Sequence, residues 1–320
     1  MLVGAAAHWP SVKTWDLHHL RERFGNTLAT VNTSPNSRFD GVEGDGSMVY
    51  AASTQMRFSA FVDKLSDVIA GGSGERVYLS EISGKDYAMR CNTTTRSCSA
   101  QSGKPQYLEP MLKDGVTLPE WYPRDMGQPF IEEPLRPFSK MIFWITAGSG
   151  VTARAHFDRP HNFYAIIAGT KTFYLAAPEH SGGLYYSYRA AYRWQLNDRG
   201  EFYKSRMHRV FTGVFSPVDL SKPDFAKHPK VRSVRLLKCD LSAGDVLYMP
   251  PEYWHQVHSE PNAEGVSIAL NFWQIPHLGV ELNQVMSPMR MALRKMFSSQ
   301  MFVLWSEVLL DGARWIGLAR

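Results

Sequence analysis

Cysteine is scarce in this chain, which has only Cys91, Cys98 and Cys239 among its 320 residues. The three lack the C-x-x-C spacing that structural zinc sites use, and their odd number argues against a disulfide framework. We therefore expect a reducing compartment. The expected location is the cytoplasm, with the nucleus as an additional one.

Long apolar runs and strong charge are also missing. No uninterrupted apolar stretch is long enough to cross a bilayer, so the sequence predicts no transmembrane segment. The net charge is only +5 and the basic residues are dispersed, which gives little support for a nucleic-acid groove. RNA stays open as an alternative because one stretch is rich in arginine, although a solvated loop face is the simpler interpretation; its members are Arg189, Arg193, Arg199, Arg206 and Arg209.

The chain is well supplied with residues that build a core. Hydrophobic residues make up 44% of it and aromatic residues 12%, a composition typical of a packed, strand-rich domain. Apolar spacing predicts helices at 11–25 and 58–70. Short β-type runs with glycine turns predict strands at 75–82, 141–148, 153–158, 162–169, 171–178, 231–241, 246–250 and 265–275. The turn Gly169-Thr170 is predicted to join two of these strands as a hairpin.

This pattern predicts a mainly β fold with flanking helices around a double-sheet jelly roll, a double-stranded β-helix. We divide the chain into three parts. Residues 1–138 form an N-terminal helical and β segment that packs on the barrel, and 139–278 form the catalytic core with an insertion at 179–232. Residues 279–320 return to helical spacing.

Two candidate metal ligands lie in the segment RAHFDRPHNFY, at 154–164. His156 and Asp158 are two residues apart, so on a strand their side chains point to the same face. Two histidines and one carboxylate that leave three coordination positions open are typical of non-haem Fe(II) oxygenases. The structural alternative is that Asp158 caps the following Arg159-Pro160 turn and that His156 is a hydrogen-bonded core residue.

A third ligand is expected on a later strand. His255 lies in GDVLYMPPEYWHQV, where a tight turn, an apolar strand and two prolines precede a histidine flanked by aromatic residues. His258, three residues further on, is its nearest rival.

Three polar residues interrupt apolar strands nearby. Lys171 shares a strand face with Phe173 and Leu175, and a lysine that points inward is costly unless it meets an anion. A solvated lysine after a turn is the alternative. Asn162 and Asn271 lie in otherwise apolar strands, and a buried asparagine needs hydrogen-bonding partners.

In these motifs and their order the chain resembles the Jumonji-C, or cupin-type, Fe(II)- and 2-oxoglutarate-dependent oxygenases, in particular their small protein hydroxylases. The resemblance covers most of the chain. It rests on AHWPSVKTW, ERVYLSEI, HFDRPHNFYAIIAGTKTF, GDVLYMPPEYWHQV and SIALNFW. It implies that His156, Asp158 and His255 bind Fe(II). The positions expected to contact 2-oxoglutarate are Lys171, Tyr78, Asn162, Asn271, Tyr164 and Thr152, and Trp273 is expected to face the substrate.

The resemblance also implies an activity. With Fe(II), the co-substrate 2-oxoglutarate and O2, such an enzyme hydroxylates a protein side chain. The insertion resembles that of a lysyl-hydroxylase subgroup, which implies a lysine target, a translation-factor-class GTPase as partner and a homodimer formed through the C-terminal helices. The alternatives are N-methyl-lysine demethylation of histones, hydroxylation of a tRNA base and a cupin scaffold with a degraded site.

The chain departs from the family pattern at two places. Members of the family have a threonine three residues before the first histidine ligand, whereas here Thr152 is four before it and Ala153 takes the third position. An added residue within 153–155 predicts a β-bulge. The segment before Trp9-Pro10 is shorter than in the family, which predicts a difference at the outer edge of the sheet.

Overall fold

A computed structural model describes residues 1–71, 76–81, 90–92, 97–99, 115–116 and 138–275. The helices are α1 (Pro10–Thr14), α2 (Leu17–Phe24) and α3 (Phe58–Ile69), with 3-10 turns at Pro178–Gly183 and Pro229–Ser233. The strands before residue 100 are β1 (Leu28–Ser34), β2 (Arg38–Phe39), β3 (Gly41–Val42), β4 (Met48–Tyr50), β5 (Ala52–Arg57), β6 (Arg76–Glu81), β7 (Arg90–Asn92) and β8 (Ser97–Ser99). The later strands are β9 (Phe138–Ala147), β10 (Val151–Phe157), β11 (His161–Ala168), β12 (Thr170–Ala176), β13 (Arg189–Leu196), β14 (Phe202–Thr212), β15 (Leu237–Ser242), β16 (Val246–Met249), β17 (Trp254–Glu260) and β18 (Val266–Ile275).

Two sheets enclose the interior in which the candidate site lies. The seven-stranded sheet has the order β16-β11-β18-β9-β6-β1-β5, and the five-stranded sheet has the order β15-β12-β17-β10-β2. Both sheets contribute to one apolar cluster, which includes Tyr164, Ile166 and Ala269 from the first and Phe173 and Val257 from the second. The predicted fold class, a mainly β double-stranded β-helix with flanking helices, is confirmed.

The helices cover the outer face of the seven-stranded sheet. Phe58, Phe61 and Leu65 of α3 are fully buried and belong to the largest apolar cluster, together with Phe143 and other sheet residues. Trp15 packs edge-on against Phe143, with ring centroids 5.3 Å apart. Because one face of this sheet is sealed by helices, its opposite face is left to line the interior.

The helix predicted at 58–70 is confirmed, but the one predicted at 11–25 is two helices. α1 ends at Thr14 and α2 begins at Leu17. Between them, the Asp16 side chain accepts a hydrogen bond from the backbone N–H of His19 at 2.7 Å, so it acts as the N-cap of a new helix. Aspartate competes with the helical backbone in this way, and apolar spacing alone does not reveal it.

Two strand predictions need correction. Residues 231–236 do not belong to a strand, because Pro229 starts a 3-10 turn and β15 begins only at Leu237. The Gly169-Thr170 turn is not a hairpin, because β11 and β12 lie in different sheets. Gly169 is a corner at which the chain crosses from one sheet to the other.

The insertion at 179–232 contains a hairpin of its own. β13 and β14 pair in antiparallel fashion, and β13 also pairs in parallel with β4. Together with β3 they form a four-stranded sheet, in the order β14-β13-β4-β3. The insertion, which was expected to be a solvated loop, therefore contributes two strands to a third sheet next to the barrel.

Some predictions fall on residues outside the described ranges. The helical segment 279–320 and its dimer role are among them, as is most of 83–138. The three-part division of the chain also stays a prediction, although β1, β5 and β6 extend the same sheet as the core strands. Within the described residues, no helix has both the length and the apolar character that a membrane crossing requires.

Replacing Gly169 with alanine should destabilise the fold. Its φ is +73°, and an added Cβ would lie 2.5 Å from the backbone oxygen of Glu260. We expect Gly169→Ala to lower the free energy of unfolding by about 3 kcal/mol, from left-handed strain plus overpacking. Gly200→Ala is the matched control: its φ is +76° but an added Cβ meets nothing within 4 Å, so a loss of about 1 kcal/mol is expected. Urea titration measures both, and equal losses would contradict the corner role.

Candidate metal centre

His156 and His255 are brought together by the pairing of β10 with β17. The two residues are direct cross-strand partners, and their ring centroids are 4.2 Å apart. The pairing register shifts between Ala153 and His156, where β10 has one more residue than β17. The bulge predicted from the sequence is confirmed, and it sets the face to which His156 points.

Asp158 completes a cluster of three possible ligands. Its Oδ2 atom lies 3.5 Å from His255 Nε2 and 3.9 Å from His156 Nε2. One ligand atom from each of the three residues falls within 4.8 Å of the others. The side chains of His156 and Asp158 are about one-fifth exposed, at 21% each, whereas that of His255 is 6% exposed. The cluster is therefore partly shielded from water but remains open on one side.

The ring nitrogens that face away from the cluster are hydrogen-bonded to the backbone. His156 Nδ1 lies 2.6 Å from the carbonyl oxygen of Arg154, and His255 Nδ1 lies 3.0 Å from that of Tyr253. A carbonyl oxygen can only accept, so each Nδ1 carries the proton and each Nε2 keeps a lone pair. The hydrogen bonds also fix the ring orientations, as carbonyl partners of metal-bound histidines do.

Ionisation of the cluster suits a cation. Burial and the neighbouring His255 lower the pKa of His156 to about 4, so its ring is neutral at pH 7. Burial by itself would raise the pKa of Asp158, but its interactions with His255 and His156 outweigh that effect, and the pKa is lowered. A carboxylate oxygen and the Nε2 atoms of two imidazole rings thus converge on one position. A divalent metal ion fits this donor set, and two histidines and one carboxylate are the set that non-haem Fe(II) uses.

His258, the rival ligand, points the other way. It is three residues from His255 on the same strand, so the two side chains lie on opposite faces of the five-stranded sheet. Its Nε2 atom lies 2.8 Å from Nε2 of Gln256, a buried residue on that same opposite face.

Lys171 is the second notable feature of the interior. It is only 1% exposed, and its Nζ donates to Ser259 Oγ at 2.6 Å. Burial lowers the pKa of Lys171 to about 7. Lys171 pairs with Ser259 and Leu175 pairs with His255, so the lysine and the metal ligand lie on one sheet face, about 13 Å apart along the strand. An anion placed between them would meet a cation at each end.

Residues of the seven-stranded sheet face this space from the other side. The Tyr164 hydroxyl donates a hydrogen bond to that of Tyr78. Burial raises the pKa of both phenols, so they stay neutral. Asn271 Nδ2 donates to Asn162 Oδ1 at 3.0 Å, and Trp144 Nε1 donates to Asn271 Oδ1 at 2.7 Å. These are the polar partners that buried asparagines require.

Trp273 faces the interior as predicted, whereas Thr152 does not. Trp273 pairs with Asn162 across the sheet, so both lie on the inner face, as expected for a residue near substrate. Thr152 pairs with His258, which places it on the face opposite to His156, and its hydroxyl donates to the Gly150 carbonyl at 3.5 Å. The structure thus does not bring Thr152 to the site. Ala153 takes the inward position and packs against the interior cluster.

Sequence reasoning missed two neighbours of the site. Ser259 was not singled out, although its spacing of four residues from His255 puts it on the same strand face. Phe215 stacks beside His156, with ring centroids 5.5 Å apart, and comes from the insertion. The local sequence does not predict the contact between Phe215 and His156. That contact depends on the pairing of residues 214–216 with β10.

Fold and site together define a class of protein: a double-stranded β-helix that encloses a two-histidine, one-carboxylate centre and a buried lysine. Residues 1–276 match the model of a family described as the cupin-like domain, and the chain belongs to that family. At the family level this supports an oxygenase that uses Fe(II) and 2-oxoglutarate.

Three relatives show the range of the family. The chain is 25% identical over 271 residues to the bifunctional peptidase and (3S)-lysyl hydroxylase JMJD7 of Homo sapiens, covering 84% of this chain and 75% of that protein. It is 25% identical over 283 residues to the lysine-specific demethylase JMJ32 of Arabidopsis thaliana, covering 84% and 73%. It is 26% identical over 274 residues to tRNA wybutosine-synthesizing protein 5 of Gallus gallus, covering 85% and 69%.

Removing one ligand should weaken metal binding strongly. We expect His255→Ala to weaken Co(II) binding at least about 100-fold, because the site loses one of three protein ligands. His258→Ala is the matched control and should change the affinity less than about threefold, since this ring faces away. Titration followed by Co(II) absorption measures both variants. Equal losses, or none for His255→Ala, would contradict the site.

Proposed function

We propose that this protein is an Fe(II)- and 2-oxoglutarate-dependent oxygenase that hydroxylates a lysine side chain of a protein substrate. The observation that carries the chemistry is the convergence of His156, Asp158 and His255 on the face that also holds the buried Lys171. The lysine target is supported by the similarity to the human lysyl hydroxylase. A translation-factor-class GTPase as partner, a homodimer and a cytoplasmic or nuclear location belong to the same proposal.

The chain's own residues would hold and orient the reactants. His156, Asp158 and His255 would hold the metal, and the Nδ1 hydrogen bonds of the two histidines keep their rings in place. When bound, Fe(II) with 2-oxoglutarate and O2 supplies the oxidation that yields succinate and CO2 and puts one oxygen atom into a substrate C–H bond. Lys171 and Ser259 would bind the far carboxylate of 2-oxoglutarate, at the closed end of the same sheet face.

The walls of the interior would exclude water. Phe173 and Val257 lie between the Lys171 and His255 levels of the sheet, and Tyr164 packs edge-on against Phe173 with ring centroids 5.1 Å apart. An apolar lining strengthens the pairing of Lys171 with a carboxylate and limits side reactions.

The first test is succinate formation. With Fe(II), ascorbate and O2, the native chain should convert 2-oxoglutarate to succinate, and His156→Ala should lower this rate at least about 100-fold because the metal is no longer held. His258→Ala serves as the control with native turnover. Peptides from treated candidate substrates should then be one oxygen atom heavier at lysine. Succinate formation by His156→Ala at the native rate would contradict the proposal.

Measuring formaldehyde together with succinate separates the related activities. Oxidation of an N-methyl group by this chemistry releases formaldehyde, so formaldehyde without an oxygen-bearing lysine would indicate a demethylase, as the Arabidopsis relative is named. No metal binding in the native chain would indicate a scaffold.

A second test uses the pH dependence of 2-oxoglutarate binding. In the free protein Lys171 has a pKa of about 7, so above pH 7 it is mostly neutral and must take up a proton to pair with a carboxylate. The complex therefore binds one more proton than the free protein, and affinity falls by up to about tenfold per pH unit above pH 7.

Calorimetry at pH 6.5, 7.5 and 8.5 with Mn(II)-loaded protein measures this dependence. Lys171→Arg should remove it, because a guanidinium stays charged, and Lys171→Met should bind weakly at every pH. Tyr78 and Tyr164 remain neutral throughout this range. A native affinity that is unchanged between pH 6.5 and 8.5 would show that Lys171 does not bind the carboxylate.

A further inference from the structure

A second concave site lies outside the barrel, between β10, the β3–β4 hairpin and the insertion. It is a cleft of about 790 Å³, and residues that line it include Arg38, Glu43, Arg154, Arg189 and Lys227. Its volume lies within the range of about 300–1,000 Å³ that is usual for ligand sites. The proposed reaction uses none of these side chains.

The cleft has more positive than negative charge. Its cationic side chains are Arg38, Arg154, Arg189 and Lys227, and its carboxylates are those of Glu43 and Asp45. Both carboxylates are already paired: Arg154 Nη2 donates to Glu43 Oε1 at 2.8 Å, and Lys204 Nζ donates to Asp45 Oδ2 at 2.6 Å. Lys204 approaches Asp45 without lining the cleft.

Two of the cations, Arg189 and Lys227, form no side-chain ion pair among the described residues. Arg189 Nη1 donates only to the carbonyl oxygen of Gly46, at 3.1 Å, and the Asp224 carboxylate accepts from the backbone N–H of Lys227 at 3.0 Å. The Nε atoms of Arg189 and Arg154 are buried and have no hydrogen-bond partner within the same described part of the chain. These Nε atoms have no accessible surface, so a ligand in the cleft would meet the Nη atoms of the half-buried Arg189 and the Lys227 ammonium instead. A carboxylate is the group that suits such donors best.

The cleft is physically connected to the metal centre. Residues 214–217 return alongside β10, where Phe157 N donates to Val214 O at 3.1 Å and Ser216 N donates to Ala155 O at 2.9 Å. Within this segment Phe215 stacks beside His156, while Pro217 lines the cleft. Val42 also lines the cleft and packs against Phe215. A polypeptide lying in the cleft would therefore lie one segment away from the metal ligands.

We propose that this cleft is a docking subsite for the protein substrate and that it takes an aspartate or glutamate side chain, located apart from the residue that is modified. The proposal rests on the proposed function in one respect, that the substrate is a protein. The excess of positive charge in the lining, two cations outside ion pairs and the proximity to the metal ligands carry it.

The lining favours a peptide over a polynucleotide. Glu43 and Asp45 would repel a phosphate backbone, which carries a regular row of negative charges. A single carboxylate meets less of this repulsion and would pair with Arg189 or Lys227, both of which line the cleft. Val42, Pro217 and Tyr185 offer apolar contact for the rest of a peptide.

Binding of short labelled probes tests the proposal. We would measure fluorescence anisotropy of the full chain with a fluorescein-labelled glycine–serine peptide that carries a single glutamate, with its glutamine analogue and with a labelled 12-mer of oligouridylate. The glutamate peptide should bind at least tenfold more tightly than the glutamine peptide. Equal affinities would overturn the proposal, and so would tighter binding of the oligouridylate, which would indicate a nucleic-acid site.

Variants that reverse or remove one charge locate the binding site. Lys227→Glu should weaken the glutamate peptide at least fivefold, and Arg189→Gln should also weaken it. Lys222→Glu is the matched control, because it makes the same charge change at an exposed position of the insertion that does not line the cleft. It should change the affinity less than twofold. Equal weakening by Lys222→Glu and Lys227→Glu would show non-specific attraction and overturn the proposal.

Succinate formation without a protein substrate keeps the two proposals apart. Lys227→Glu should retain the native rate, since Lys227 does not contact the metal centre. Peptide binding that depends on Lys227 in a chain that forms no succinate would overturn the oxygenase and leave the subsite standing. Native succinate formation with no loss of peptide affinity in Lys227→Glu would overturn the subsite alone.

Discussion

The pairing of β10 with β17, with a single bulged residue inside it, is the constraint on which the site depends. It places His156 opposite His255 and turns both inward, and it leaves Asp158 two residues further along the same face. Since side chains alternate along a strand, a shift of one residue would point His156 outward. The Nδ1 hydrogen bonds to Arg154 and Tyr253 then fix the ring nitrogens that face the metal position.

Lys171 shows that part of the interior is built for a ligand rather than for stability. Burial lowers its pKa from 10.5 to about 7, which corresponds to a cost of order 5 kcal/mol for keeping the charged form inside the free protein. The hydrogen bond to Ser259 offsets only part of this cost. Lys171 thus lowers the stability of the free protein and lies on the same sheet face as the metal ligand His255. Binding sites commonly lose stability in this way in exchange for function.

The sequence contained most of what was needed to predict the fold and the central ligands. Strand periodicity placed His156 and Asp158 on one face, and the apolar strand before His255 favoured it over His258; the cross-strand register shows the same arrangement. The extra residue before His156 was visible as a spacing change. The outward position of Thr152 could not be predicted from it, because the spacing does not tell whether Thr152 or Ala153 points inward beside the bulge.

Other features depended on contacts that local patterns do not encode. The break between α1 and α2 came from the side chain of Asp16. The corner at Gly169 looked like a hairpin turn because both cases need a residue with positive φ. Phe215 reaches His156 only because the insertion forms its own sheet against β4 and returns along β10. Long-range pairing decided the outcomes at Gly169 and Phe215, whereas the helix break depends on a hydrogen bond between residues three apart.

The most direct measurement of the central claim is an X-ray structure of crystals containing Mn(II) and 2-oxoglutarate, with anomalous scattering recorded for the metal. The account predicts one strong anomalous peak bounded by His156 Nε2, Asp158 Oδ2 and His255 Nε2. It also predicts 2-oxoglutarate density that extends from the metal to Lys171 Nζ. A metal peak elsewhere, or a Lys171 still bonded only to Ser259 with 2-oxoglutarate bound at another place, would contradict it.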